Sequence, residues 1–174
     1  MSGHSKWSQI KRQKEIADQK KGQLFSKLSK VISIAARKGT DPAMNVELKN
    51  AIEKAKETSM PKENVERAIK RVSDKNAARL EELVIEIIGP ESLALIITII
   101  TDNKNRTMAE IKKILSEFGY KQGSVMWAFT KQGREFVPQY PIENLSEETK
   151  SNLEKLFERL DENEDVQEVY LNFI

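Results

Sequence analysis

Near residue 80 the spacing of apolar side chains changes from a helical period to alternation, and no other feature of these 174 residues constrains the fold so tightly. Before the change, Leu24, Leu28, Val31, Ile32 and Ala35 recur at helical spacing, with Gly39 as a stop. Leu48, Ala51, Ile52 and Ala55 mark a second helix, entered through Asp41-Pro42 and capped near Asn45. A third helix begins at Met60-Pro61, where proline suits the first turn, and is expected to bury Val65, Ile69 and Val72. A helix with a single apolar stripe is not stable alone, so the three must pack together.

After the change, Leu83 to Ile88 and Leu93 to Thr101 are β-branched runs joined by Gly89-Pro90-Glu91-Ser92, which predicts a hairpin. Met108, Ile111, Leu115 and Phe118 define a helix ended by Gly119. Val125, Trp127 and Phe129 alternate as a half-buried strand, and Gln132-Gly133 turns the chain toward Glu135-Phe136-Val137. Ser146 caps a helix with an acidic first turn carrying Leu153, Leu156, Phe157 and Leu160. Val169, Leu171 and Phe173 then alternate in a closing strand that needs a sheet to cover it. The expected fold class is α plus α+β: a three-helix domain over residues 1–78, then an α+β sandwich over 79–174. Its sheet should be mainly antiparallel, with helices on one face.

A formal net charge of +2 conceals two oppositely charged halves. Residues 1–75 hold 18 Lys and Arg against 9 Asp and Glu, whereas residues 76–174 hold 11 against 18. Phosphate binding follows local field rather than net charge, so the first half is the part expected to meet polyanions.

The inventory of reactive side chains is thin. Cysteine is absent, which removes disulfides, thiolate metal sites and cysteine nucleophiles. His4 is the one histidine, which excludes histidine triads and two-histidine metal sites. Asp161, Glu162, Glu164 and Asp165 fall between a helix end and a strand, the setting of a solvated turn rather than a cation site. No glycine-rich phosphate cradle of known form is present. These features argue for no enzyme, no metal and no cofactor. The first thirty residues are basic and lack the apolar run of a signal peptide, and Leu93 to Ile100 is too short to span a bilayer. The expectation is a cytoplasmic protein without a membrane partner.

Basic residues dominate the remaining candidates. Gly3-His4-Ser5-Lys6-Trp7 runs into Ile10-Lys11-Arg12-Gln13-Lys14, which puts cations beside a π-face as phosphate contact with base stacking requires. His4, Lys6, Trp7, Lys11, Arg12 and Lys14 are therefore candidate nucleic-acid contacts. Lys20, Lys21, Lys27, Lys30 and Arg37 continue the series along the first helix, largely off its core stripe. Lys62, Arg67, Lys70 and Arg71 lie off the stripe of the third. Compensating carboxylates are scarce, since residues 1–40 hold 10 basic side chains against 2 acidic ones. A second candidate, for an anion, is Asn103, Lys104, Asn105, Arg106 and Thr107, where a strand turns into a helix capped by Asp102 or Asn105.

Taken together, these segments resemble the YebC family, which includes the mitochondrial translational activator of cytochrome oxidase subunit I. The resemblance is carried by Gly3-His4-Ser5-Lys6-Trp7, Phe25-Ser26-Lys27-Leu28, Ala35-Ala36-Arg37, Met60 through Lys70, Thr101 through Thr107, Gly123-Ser124-Val125 and Asp165 through Phe173. It implies a non-enzymatic regulator of gene expression. Bacterial members are generally named transcriptional regulators and credited with DNA binding, while others look like translation factors that act on the ribosome and relieve stalling at proline-rich sequences. Family members normally carry a further α/β domain before the last helix. Here Phe136 passes almost directly to Ser146, so that insertion is expected to be absent near residues 137–142.

Three functions remain open. The first is a monomeric translation factor that binds ribosomal RNA at the ribosome. The second is a DNA-binding transcriptional regulator, and the third is a protein-interaction adaptor using the acidic domain. The charge split favours the first, because the acidic half would be repelled by a long continuous phosphate track, whereas a ribosome offers RNA beside basic protein.

Overall fold

The helical period before residue 80 becomes α1 (Asp18–Ala36), α2 (Val46–Glu57) and α3 (Lys62–Lys70) in the computed structural model, which describes residues 18–174 with side chains from residue 20. Residues 18–81 with 100–102 form one compact unit, and residues 82–99 with 103–174 form another.

In the helical unit, Leu28, Ile32, Ala35 and Ala36 of α1 pack with Leu48, Ala51 and Ala55 of α2 and with Val65 and Ala68 of α3. Asn45 ties two helices together. Its Oδ1 accepts from the Leu48 N–H at 3.1 Å and caps α2, while its Nδ2 donates to the Ala35 and Gly39 carbonyls, each at 2.8 Å. One expectation fails here: Val72 is 39% exposed rather than buried. The chain tightens after α3 into a 3-10 turn over Arg71–Ser73, and three residues per turn carries position 72 off the row of Val65 and Ala68.

The other unit is an α+β sandwich. Its main sheet has the order β3-β1-β2-β6, built from β1 (Glu81–Ile88), β2 (Ala94–Thr101), β3 (Lys121–Gln122) and β6 (Val166–Leu171). A separate antiparallel hairpin joins β4 (Phe129–Gln132) to β5 (Glu135–Pro138). The helices are α4 (Lys104–Glu117) and α5 (Glu147–Asp161). As the alternation of Val169, Leu171 and Phe173 requires, β6 pairs within the sheet, antiparallel to β2, with Leu171 opposite Leu95 and Val169 opposite Ile97.

Leu95, Ile97 and Ile99 of β2 share one core with Ile111 and Leu115 of α4 and with Leu156, Phe157 and Leu160 of α5. Both helices thus cover one face, as expected. The opposite face carries Ala94 and Ile96, which cluster with Val125, Ala128, Phe129 and Phe136 around the hairpin. Burial on both faces explains why β2 reads as a nearly unbroken apolar run instead of an alternating one.

The strand expected through Val125, Trp127 and Phe129 is a correction. A 3-10 turn over Met126–Ala128 precedes β4, and Trp127 is 66% exposed. The carboxylate of Glu86 accepts from the Val125 N–H at 2.7 Å and the Met126 N–H at 2.8 Å. With those amides satisfied by a side chain, no neighbouring strand is needed to pair them.

The turn between β1 and β2 bonds the Gly89 N–H to the Leu93 carbonyl at 2.8 Å. Glycine is required at 89 because a Cβ there would collide with the Tyr120 ring. Glu91, at φ 53, accepts from the Ser146 N–H at 3.0 Å and from the hydroxyls of Ser146 and Thr149. The hairpin turn thereby anchors the first turn of α5.

Candidate nucleic-acid interface

Burying Val65 and Ala68 leaves Arg67 and Lys70 on the outer side of α3, with Arg71 at the turn beyond. On α1, burying Leu28, Ile32 and Ala35 leaves a flanking row of small residues at 22, 26, 29 and 33. At Ser33 this row touches α3, where its buried hydroxyl donates to the Ala68 carbonyl at 2.8 Å. Alongside that contact runs a cleft of about 790 Å³.

Lys30, Arg67, Lys70 and Arg71 line the cleft, and Asp74 is the one carboxylate among the described lining residues. Basic side chains thus outnumber acidic ones among the described lining residues, a balance that favours a positive local field. Asp74 is partly engaged, since its Oδ1 accepts from the Asn76 N–H at 2.9 Å. The Arg71 guanidinium is held by the Ala78 carbonyl at 3.2 Å. Among the described residues, neither Arg67 nor Lys70 is tied into an ion pair. Phe25 adds an aromatic wall while packing partly against the helical core.

The other basic candidates lie elsewhere. Lys27 departs from the expected exposure, with only 6% of its surface accessible, because position 27 falls between the half-buried Leu24 and Val31 on α1. Arg37 donates to the Leu80 carbonyl at 2.6 Å and does not line the cleft. Lys62 pairs with Glu66 at 3.6 Å on the exposed start of α3. Lys20 and Lys21 are exposed on the first turns of α1 and also lie outside the cleft. His4, Lys6, Trp7, Lys11, Arg12 and Lys14 lie outside the described residues. Sequence reasoning missed Phe25, Ser29 and Asn64 as lining residues, although the row of small side chains on α1 was a readable signal.

At the start of α4 the cap is Asn103, whose Oδ1 accepts from the Arg106 N–H at 3.1 Å, and not Asp102 or Asn105. Arg106 contacts the buried Asp165 carboxylate at 3.0 Å, and the Thr107 hydroxyl donates to the same oxygen. A carboxylate of the chain itself therefore already occupies the position facing Arg106 and Thr107, while Lys104 and Asn105 are exposed. Among the described residues no group of three or more His, Cys, Asp and Glu could hold a metal ion. No helix among them is long and apolar enough to cross a membrane.

Comparison with known proteins adds a lineage to this geometry. Residues 5–75 match the TACO1/YebC protein N-terminal domain, and residues 80–135 match the TACO1/YebC second and third domain. A probable transcriptional regulatory protein of Petrotoga mobilis is 41% identical over 174 residues, covering 97% of this chain and 69% of the relative. The chain belongs to the TACO1/YebC family. A second family member, a probable transcriptional regulatory protein of Halothermothrix orenii, is 47% identical over 142 residues, which is 79% of this chain and 56% of that one. The chain thus spans little more than half of one relative and about two thirds of the other. The crystal structure of a conserved hypothetical protein from Aquifex aeolicus superposes with a TM-score of 0.87 at 28% identity, covering 98% of this chain and 97% of its own.

Proposed function

We propose that this chain is a non-enzymatic, nucleic-acid-binding regulator of gene expression that acts in translation by binding ribosomal RNA at the ribosome. The observation that carries the reading is the cleft between α1 and α3. Lys30, Arg67, Lys70 and Arg71, which sequence places forty residues apart in two groups, line one concave surface. That surface belongs to the half of the chain with the positive excess, so local field and local shape agree. The name carried by the Petrotoga and Halothermothrix relatives, probable transcriptional regulatory protein, supports regulation of gene expression in general. As proposed, the chain works as a monomer in the cytoplasm, without cofactor, metal or membrane.

Duplex DNA is the second reading, and the relatives' name favours it. RNA at the ribosome ranks ahead because residues 76–174 carry 11 basic against 18 acidic side chains and would be repelled along a continuous duplex. Sedimenting a cell extract at moderate salt, with parallel competition between ribosomes and promoter duplexes for the purified protein, separates the two. The protein should travel with ribosomes and be displaced by them. If it stays with free proteins and prefers one duplex sequence over another at equal salt, the DNA reading wins.

A further inference from the structure

We infer that the α1–α3 cleft takes an unpaired nucleic-acid strand, with one base against Phe25 and the flanking phosphates on Lys30, Arg67 and Lys70. This rests on the nucleic-acid reading above and narrows it to one surface and one form of ligand.

Three features select a single strand over a duplex. The first is shape. An open cleft of about 790 Å³ is far more than one phosphate needs and leaves room for a base beside it. A duplex is convex and stiff and meets proteins that project into its grooves, whereas a single strand can lay a base into a concavity. The second is Phe25. Phe25 lines the cleft and is partly buried against the helical core, which restrains it before any base arrives. A platform restrained in advance loses little conformational freedom on stacking. The third is Gly22 on the α1 wall, the wall that also carries Lys30. Gly22 sits inside α1, lines the cleft, and has nothing within 4 Å of where a Cβ would be. Glycine weakens a helix interior, and packing does not demand it here, so the room it leaves is available to a strand.

Both RNA and DNA single strands offer the base and phosphates this cleft would engage. Ser29 and Asn64 in the lining can in addition bond a 2′-hydroxyl.

The test uses the whole chain and labelled oligonucleotides of one sequence: single-stranded RNA, single-stranded DNA and the matching duplexes, titrated by fluorescence anisotropy at several salt concentrations. Single strands should bind more tightly than duplexes, and a tighter RNA arm would identify RNA as the source. Phe25→Leu keeps the apolar anchor but removes the π-face, so single-strand binding should weaken about tenfold with an unchanged salt slope. Arg67→Glu with Lys70→Glu should flatten the single-strand slope by roughly 0.7 for each lost phosphate contact. Gly22→Leu fills the cleft while replacing a poor helix former. It should therefore block single strands in a chain at least as resistant to urea as the original, so unfolding cannot explain the loss. Duplex binding as tight as single-strand binding, untouched by Phe25→Leu and Gly22→Leu, would overturn the inference and leave the nucleic-acid reading standing. Unimpaired single-strand binding by Gly22→Leu would likewise place the strand elsewhere. No binding of any oligonucleotide at low salt would overturn both.

Discussion

The Asn45 side chain satisfies three backbone groups at once: it caps α2 through Leu48 and donates to the carbonyls of Ala35 and Gly39. Alanine at this position loses the cap and one donor to each of the Ala35 and Gly39 carbonyls, for an expected cost of about 1–3 kcal/mol, read as a lower urea midpoint at constant slope. Asn45→Asp keeps an acceptor for the cap but no donor for the carbonyls, so it should not rescue. Glu91 gives the fold a dependence on acid. Hydrogen bonds from Ser146 and then Thr149 hold its carboxyl below the usual carboxylate range. A carboxyl with a depressed pKa in the folded state contributes stability above the ordinary range near 4.3 and loses it as pH falls further. Thermal melts across the acid limb should therefore be flatter for Glu91→Gln than for the original chain. Tyr120 acts at the other end of the scale. Burial first, and the Glu91 charge second, push its hydroxyl up to about 12. Burial likewise raises Tyr170. Below pH 10 both states keep these phenols neutral, whereas above it the unfolded chain gains by ionising, so stability should decline from about pH 10 upward. Ultraviolet difference absorbance should show two phenols ionising late, together with unfolding.

Among the elements, β2 shows most directly what tertiary contact adds. In a sheet covered on one face only, Ile96 would point to solvent and its truncation would cost almost nothing. Here Ile96 is fully buried beside Val125, Phe129 and Phe136. Ile96→Ala should therefore cost about 2–5 kcal/mol, comparable to Ile97→Ala on the helix-covered face. A near-zero loss at 96 in chemical denaturation would mean the β4–β5 hairpin does not cover that face in solution. In the helical unit, α1 and α3 meet through their shared apolar core and the Ser33 hydroxyl on the Ala68 carbonyl, and that packing brings Lys30 and Arg67 to one cleft.

For the whole chain, the separation of charge matters more than its sum. If the proposed function holds, polyanion affinity follows the positive cleft and falls steeply with salt, while the acidic half sets which polyanions are tolerated. Reversing Lys30, Arg67 and Lys70 to Glu should abolish binding to ribosomes and to free RNA. Reversing Arg37 and Lys62, which lie outside the cleft, should reduce affinity only modestly. Equal losses in the two variants, measured by filter binding at one salt concentration, would show that diffuse charge and not the cleft carries the affinity.

Much of this was legible from the chain alone, for a local reason. Apolar spacing, Gly39, Asn45, Pro61, Gly119 and Ser146 act on neighbours within about four residues, so the helices, the β1–β2 hairpin and the closing strand could be read directly. Val72 and Lys27 departed for local reasons, a 3-10 turn and flanking half-buried side chains, but other failures are long-range. The 3-10 turn at Met126–Ala128 depends on Glu86, about forty residues earlier, whose carboxylate takes the amides that a neighbouring strand would have paired. At the start of α4, local signals allowed several caps and the folded backbone selected Asn103. Sequence placed Lys30, Arg67, Lys70 and Arg71 off their apolar stripes, and the same logic offered Lys27, Arg37 and Lys62. Which of these face one another depends on the seating of α1 against α3. A helical period specifies which face of each helix is buried, but the register between two packed helices is set by side chains that meet only in the folded state.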